Sequence, residues 1–145
     1  MQDTAYPDTL DKKQASSQKK LILLIDDNAD LLDLNKTVLE TEDFDVAVAM
    51  SEAEAFAVLS KITRPDLILL DMRMDDMSGP EFLLALEKTR SDIFNNVPVV
   101  FLSANDSAAL GKAAGFIRKG TDIDKFLTAV HRFIDAGINR TRDGT

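Results

Sequence analysis

Apolar runs alternate with helix-like patterns along the middle of the chain. Residues 21–25, 67–70 and 97–102 are continuous apolar runs, and residues 44–49 and 116–118 are shorter candidates. Runs of this length are typical of strands that are buried on both faces of a parallel sheet. We therefore predict five strands, separated by segments whose apolar residues recur at helical spacing.

Start signals place three of the four helices predicted in this paragraph. Ser51, with Glu54 three residues later, has the pattern of a capping box for a helix that reaches about Ile62. Pro80 suits the first turn of the next helix, and Thr121 is expected to cap the last one. The helices are predicted over residues 30–40, 52–62, 81–88 and 121–134. The last is expected to turn six apolar residues inward: Ile123, Phe126, Leu127, Val130, Phe133 and Ile134.

The connection between the fourth and fifth strands is short. Residues 105–114 must hold a whole crossover helix, and Gly111 lies inside that segment. Glycine weakens a helix by roughly 1 kcal/mol relative to alanine. We therefore predict that this fourth helix is shortened to one or two turns.

Strand–helix alternation predicts an α/β fold with a doubly wound, five-stranded parallel sheet and helices on both faces, because parallel neighbours need helical crossovers. We expect one domain at residues 20–137, since 145 residues leave little room for a second. Residues 1–19 and 138–145 are polar and lack an apolar period. They are expected to form a flexible N-terminal arm and a flexible C-terminal tail.

Charge and composition narrow the classes of function. There are 17 basic and 25 acidic residues, for a net charge of −8, which disfavours nucleic acid and anionic membrane as partners. Cysteine is absent and there is one histidine, so disulfides, thiolate sites and multi-histidine zinc sites are excluded. No apolar run approaches membrane-spanning length. We expect a cytoplasmic protein.

Polar residues of matched chemistry follow the predicted strands. Asp26 and Asp27 follow the first strand, Asp71 the third, Ser103 the fourth and Lys119 the fifth. In open parallel sheets, ligands bind beyond these carboxyl ends. Three converging carboxylates repel one another unless a hard cation or an ammonium joins them, and oxygen ligands favour Mg²⁺. A carboxylate beside such an ion and a lysine is a plausible nucleophile towards phosphorus.

An acidic pair, a central aspartate, a serine and a lysine, each closing a strand in that order, resemble the receiver domains of bacterial response regulators in two-component signalling. The resemblance covers about residues 20–137 and implies a flavodoxin-like sheet of order 2-1-3-4-5. It also implies that Asp26 and Asp27 bind Mg²⁺ with Asp71 and the backbone carbonyl of Arg73. Asp71 would accept a phosphoryl group from a phosphohistidine.

The resemblance implies further roles and partners. Ser103 and Lys119 would contact the phosphoryl group, and Phe116 would be the aromatic switch coupled to Ser103. The donor would be a sensor histidine kinase or a histidine phosphotransfer protein. The downstream partner is an unknown protein, and the chain would be a monomer or an activation-dependent dimer.

Two positions depart from the family pattern. Gly120 follows Lys119 where receivers usually have a proline with a cis peptide bond, so we predict a trans bond and a loop made possible by glycine. Asp75, followed by Asp76, stands where a proline is common after the central aspartate. These two carboxylates add negative charge at the mouth of the site.

The leading hypothesis is a stand-alone receiver that catalyses its own phosphorylation and slow dephosphorylation and thereby switches partner binding. The alternative is a degenerate receiver that acts as a phosphorylation-independent interaction module. Asp26 and Asp27 could also serve only as helix caps. A phosphatase of the haloacid-dehalogenase type is disfavoured, because it would need a general acid at the position of Arg73. A flavodoxin-like electron carrier is disfavoured, because Asp26 and Asp27 would repel the phosphate of a flavin.

Overall fold

The computed structural model describes residues 19–104 and 111–137. Five parallel strands form one sheet in the order β2-β1-β3-β4-β5. The strands are β1 (Leu21–Ile25), β2 (Asp45–Ala49), β3 (Leu67–Asp71), β4 (Val99–Ser103) and β5 (Gly115–Arg118). The predicted sheet and its order are confirmed.

Five helices flank this sheet in the described part of the chain. They are α1 (Ala29–Glu40), α2 (Glu52–Leu59), α3 (Gly79–Thr89), α4 (Ser91–Asn96) and α5 (Ile123–Ala136). Among these residues, no helix combines the length and the apolar character that a membrane crossing requires.

Alternate residues of the buried strands face opposite sides of the sheet. Leu23 and Ile25 belong to one core cluster, which includes Phe82 of α3. Ile22 and Leu24 belong to the other, which includes Phe126 of α5. Helices therefore cover both faces, as predicted, and both faces of β1 and β3 are buried. The polar residues at the ends of these strands are positioned by a tightly packed base.

The short helix α4 was not predicted. The sequence predicts a helix that ends at Lys88 and a strand that begins at Val97. The structure places a short helix between them, and this helix buries Ile93 and Phe94. Six residues carry too little periodicity to separate a helix from a loop. The strand itself begins at Val99, after Pro98.

The predicted N-cap Ser51 is confirmed, but the predicted cap Thr121 and the predicted capping box were wrong. The last helix is capped by Asp122, not Thr121, since the Asp122 side chain accepts from the Lys125 N–H at 2.9 Å. Ser51 does accept from the Glu54 N–H, but the Glu54 carboxylate accepts from Met50 instead of closing the box.

The predicted extents of the same two helices also need correction. The helix that starts after Ser51 ends at Leu59, before the predicted Ile62. Ile123, which was predicted to face the core, is 56% exposed because it occupies the first position of α5.

The predicted shortened helix between β4 and β5 falls mostly on residues 105–110, outside the described residues, and residues 111–114 form turns and bends. The predicted arm, apart from Lys19, and the tail also lie outside, so the domain bounds stay predictions. Every described peptide bond is trans, and Gly120 has a φ of 82°. This backbone region favours glycine, as predicted for the loop after Lys119.

Candidate functional site

Three carboxylates converge where β1 and β3 end. One oxygen from each of Asp26, Asp27 and Asp71 lies within 4.8 Å of the others. The strand register explains the convergence, because Ile25 pairs with Leu70 and the aspartates follow directly. The structure thus brings together the acidic residues that the sequence pattern singled out.

Asp26 is the most buried of the three, with 1% of its surface exposed. Its Oδ1 accepts a hydrogen bond from the Asn28 N–H at 2.9 Å. Its buried Oδ2 accepts none from the described residues. Burial raises the pKa of the Asp26 carboxyl and the nearby Asp71 charge raises it further, although the Asn28 N–H opposes the rise. Burying a carboxylate oxygen without a partner costs free energy, so a positive charge beside Asp26 Oδ2 would stabilise the site.

Asp71 ends β3 and is 5% exposed. Its Oδ1 accepts from the Arg73 N–H at 3.2 Å and contacts the Lys119 Nζ at 2.9 Å. Lys119 reaches the site from the end of β5, where its N–H donates to the Ser103 carbonyl at 2.7 Å. Because the Lys119 side chain is 32% exposed, the ammonium lies between the buried carboxylates and solvent.

Asp27 differs from its neighbour in being only partly buried. Its Oδ2 accepts a hydrogen bond from the backbone N–H of Asp75, 48 residues away in sequence, at 2.8 Å. The loop that follows β3 therefore holds a carboxylate that follows β1.

That loop is a tight hairpin. Arg73 and Ser78 form an antiparallel bridge, closed by hydrogen bonds from the Met74 N–H to the Met77 carbonyl and from the Gly79 N–H to the Met72 carbonyl. The described residues make no hydrogen bond to the Arg73 carbonyl, which leaves that oxygen available as a ligand. The side chains of Met74 and Met77 are buried, and they anchor the hairpin to the core.

Ser103 and Phe116 lie on the neighbouring strands. Ser103 is the last residue of β4, is 5% exposed and stands one position beyond Leu102, the partner of Asp71. Phe116 is partly buried, pairs with Phe101 in register and packs against the core cluster that contains that residue. Ser103 therefore lies beside the end of β3, whereas Phe116 lies two residues before the end of β5.

The donor set fits a hard divalent cation. It consists of carboxylate oxygens, one of them buried without a hydrogen bond from the described residues, and it contains neither sulfur nor imidazole. No other group of three or more acidic or histidine side chains with this proximity occurs among residues 19–104 and 111–137.

Comparison with known proteins identifies the family. The model of the response regulator receiver domain matches residues 22–131. The chain belongs to this receiver family. It is 31% identical over 130 residues to the transcriptional regulatory protein GlrR of Escherichia coli, covering 86% of this chain and 27% of GlrR. The receiver thus spans about a quarter of that relative's length.

Solved structures agree on the fold. The chemotaxis response regulator CheY4 of Vibrio cholerae superposes with a TM-score of 0.69 at 24% identity, covering 79% of this chain and 98% of CheY4. The response regulator TrrA of Thermotoga maritima, solved in complex with Mg²⁺ and BeF, gives a TM-score of 0.66 at 24% identity, covering 78% of this chain and 97% of TrrA. Magnesium binding and an aspartyl phosphate are general properties of this receiver family.

A surface groove of about 210 Å³ begins beside the receiver site. Asp26 and Lys119 line it together with residues of α1 and α5, Leu102 and the loop that follows β5. Leu34 and Ile123 border the groove and are each 56% exposed. It offers an apolar surface beside a charged site.

The sequence did not reveal which backbone amides hold the carboxylates. Asn28 and Arg73 each lie two residues after the aspartate they contact, a spacing at which aspartate commonly bonds the chain. That signal was available. The contact between Asp75 and Asp27 had no local signal, because it depends on how two distant loops meet.

Proposed function

We propose that this receiver accepts a phosphoryl group on Asp71 from a phosphohistidine and thereby switches its binding to a protein partner. The observation that carries the proposal is the position of the Asp71 carboxylate, nearly buried, 2.9 Å from the Lys119 ammonium and beside the acidic pair. A carboxylate in this setting is held for reaction, since its position and the charge around it are already arranged.

Mg²⁺ would be held by oxygens of Asp26, Asp27 and Asp71 and by the Arg73 carbonyl. When bound, the ion supplies positive charge that offsets the negative charge gathering on the transferred group. The buried and unbonded Asp26 Oδ2 supports this assignment, because a cation would remove the cost of burying that oxygen.

The chain's own groups would do the remaining work. An oxygen of Asp71 attacks phosphorus, the bond from phosphorus to the histidine nitrogen breaks, and the nitrogen keeps the electron pair. Lys119, which already contacts Asp71, would then pair with a phosphoryl oxygen, and Ser103 at the end of β4 would hydrogen-bond another. The Ser103 shift would be coupled to Phe116 on the adjacent strand.

The upstream partner would be a sensor histidine kinase or a histidine phosphotransfer protein. It must bring a phosphohistidine to Asp71 past the exposed side of Lys119, where the groove with Leu34 and Ile123 begins. Apolar contacts in this groove would hold the donor, while the charged end of the groove would receive the phosphoryl group. A cytoplasmic location is part of the same proposal.

The experiment is a titration of wild type and Asp71→Ala with beryllofluoride, with and without Mg²⁺, followed by amide chemical shifts. Beryllofluoride mimics a phosphoryl group on aspartate and tests the site without the kinase. We expect Mg²⁺-dependent shifts in wild type around Asp71, Ser103 and Lys119, reaching Phe116, and their loss in Asp71→Ala. An unchanged wild-type spectrum at saturating Mg²⁺ would favour the phosphorylation-independent interaction module.

A further inference from the structure

We propose that the backbone N–H of Asp75 is a positioning group for the metal site and that it acts by holding Asp27. The inference rests on the proposed function, since it concerns how the same site receives Mg²⁺. It goes beyond the ligand set because Asp75 would never touch the ion.

The three carboxylates share one arrangement. In each, one oxygen accepts from a backbone N–H: Asp26 Oδ1 from Asn28, Asp71 Oδ1 from Arg73 and Asp27 Oδ2 from Asp75. The second oxygen of Asp26 accepts no hydrogen bond from the described residues. One oxygen of each carboxylate is thus fixed by a backbone amide.

The amide that holds Asp27 is the exceptional one. Asn28 and Arg73 follow their aspartates by two residues, so these contacts form within a single turn of chain. Asp75 is 48 residues from Asp27, and its N–H reaches the carboxylate only because the hairpin after β3 folds over the end of β1. Asp27 is also the most exposed of the three carboxylates, so packing against the protein restrains it least.

The hairpin makes this amide a rigid donor. The Arg73–Ser78 bridge and the hydrogen bond from the Met74 N–H to the Met77 carbonyl at 3.0 Å fix the backbone on both sides of Asp75. Burial of the Met74 and Met77 side chains ties the hairpin to the core. A donor held in this way orients the carboxylate before the ion arrives, and such preorganisation raises affinity by lowering the ordering cost.

The residue type at position 75 decides whether the hydrogen bond from its N–H to Asp27, here called the clamp, can form. Proline, which is common here in receivers, has no backbone N–H, so a chain with proline at position 75 could not make this bond. Asp75 supplies the N–H while its own side chain is exposed to solvent. The departure from the family pattern thus adds a specific contact to the metal-binding carboxylate, besides adding charge at the mouth.

The test compares Asp75→Pro, which removes the N–H and the charge, with Asp75→Ala, which removes the charge alone. Mg²⁺ dissociation constants come from amide-shift titrations of the full chain. We expect Asp75→Pro to weaken Mg²⁺ binding about tenfold, the lower end of the effect of losing a group that orients a metal ligand. Asp75→Ala should weaken it by no more than about twofold, since a single exposed charge is strongly screened.

Two further measurements separate the clamp from a folding defect. An ester in place of the Met74–Asp75 peptide bond removes the same N–H without a proline ring, and it should reproduce the tenfold loss. In the metal-free protein, Asp27→Ala should speed amide exchange at Asp75 by about tenfold, as expected for loss of a hydrogen bond to a charged acceptor. Thermal unfolding of each variant monitors the fold.

The outcomes are distinguishable. Equal Mg²⁺ affinity in Asp75→Pro, the ester and Asp75→Ala would overturn the inference and leave the proposed function intact. Exchange at Asp75 that does not respond to Asp27→Ala would also overturn it. If wild type itself fails to bind Mg²⁺ at millimolar concentration, the proposed function falls and the inference falls with it.

Discussion

At the carboxyl end of the sheet, charged side chains are buried together, whereas at the amino end they are paired at the surface. Asp26 and Asp71 are 1% and 5% exposed, and one Asp26 oxygen accepts no hydrogen bond from the described residues. At the other end, His131 and Glu42 contact each other at 3.0 Å with about half of each side chain in solvent. The same sheet thus supports two different electrostatic environments.

The difference indicates where the chain gives up stability, in keeping with the proposed function of this site. Buried charges without full compensation destabilise a fold by several kcal/mol, whereas exposed pairs contribute roughly 0–1 kcal/mol. A chain that needed only stability would place apolar groups at both ends of β1 and β3. The charged pair at the amino end is exposed, whereas the carboxyl end keeps buried charges, as the proposed phosphoryl-accepting site would require.

The largest effect should follow from removing the Lys119 ammonium, which contacts Asp71. Lys119→Met should slow phosphorylation of Asp71 by a small-molecule phosphodonor about 100-fold, because one preorganised group that stabilises transition-state charge is commonly worth that much. Lys112→Met is the matched control, since Lys112 pairs with Glu87 at the surface, away from the carboxylates. Rates are measured by intact-protein mass spectrometry. Equal rates in the two variants would remove Lys119 from the chemistry.

A smaller effect, in this case a gain in stability, is expected when Asp26 is replaced. Asp26→Asn should stabilise the metal-free protein by about 1–2 kcal/mol, because it removes a buried charge while its amide can donate to Asp71. Urea unfolding without Mg²⁺ measures this gain. Saturating Mg²⁺ should then reverse the order, since only wild type retains the full ligand set. A metal-free variant less stable than wild type would show that the buried charge is already compensated.

The smallest effect is expected at the amino end. Glu42→Gln keeps the shape of the side chain and removes its charge opposite His131, so unfolding free energy should change by less than about 0.5 kcal/mol. Mg²⁺ affinity should not change, because the pair lies at the far end of the sheet. A larger loss, or one insensitive to 1 M salt, would mean that the two ends do not differ as described. Urea titrations at low and high salt provide the measurement.

Much of the fold could be predicted because the central strands have a clear sequence signal. The strands at residues 21–25 and 67–70 are buried on both faces, so each appears in the sequence as a continuous apolar run. Elements that depend on a few residues were less predictable. The helix α4 and the cap at Asp122 arise from local competition that packing decides.

The sequence predicted which polar residues converge at the carboxyl end of the sheet, but not the contacts that hold them there. Asp26, Asp27, Asp71, Ser103 and Lys119 were identified from their place after strands, and the structure places the three carboxylates together with Lys119. The sequence did not predict that Asp26 and Asp27 differ in burial. Their different burial, 1% exposed against partly exposed, appears only once α1 and the hairpin after β3 are packed.

The sequence by itself determined the alternation of strands and helices, the identity of the acidic and basic groups and the end of the sheet at which they meet. These follow from short-range rules of periodicity and chain direction. The tertiary structure alone decided which carboxylate oxygen remains without a hydrogen bond and that the Asp75 N–H binds Asp27. Those contacts join residues that are distant in sequence, and their geometry is set by packing of the whole sheet and its loops.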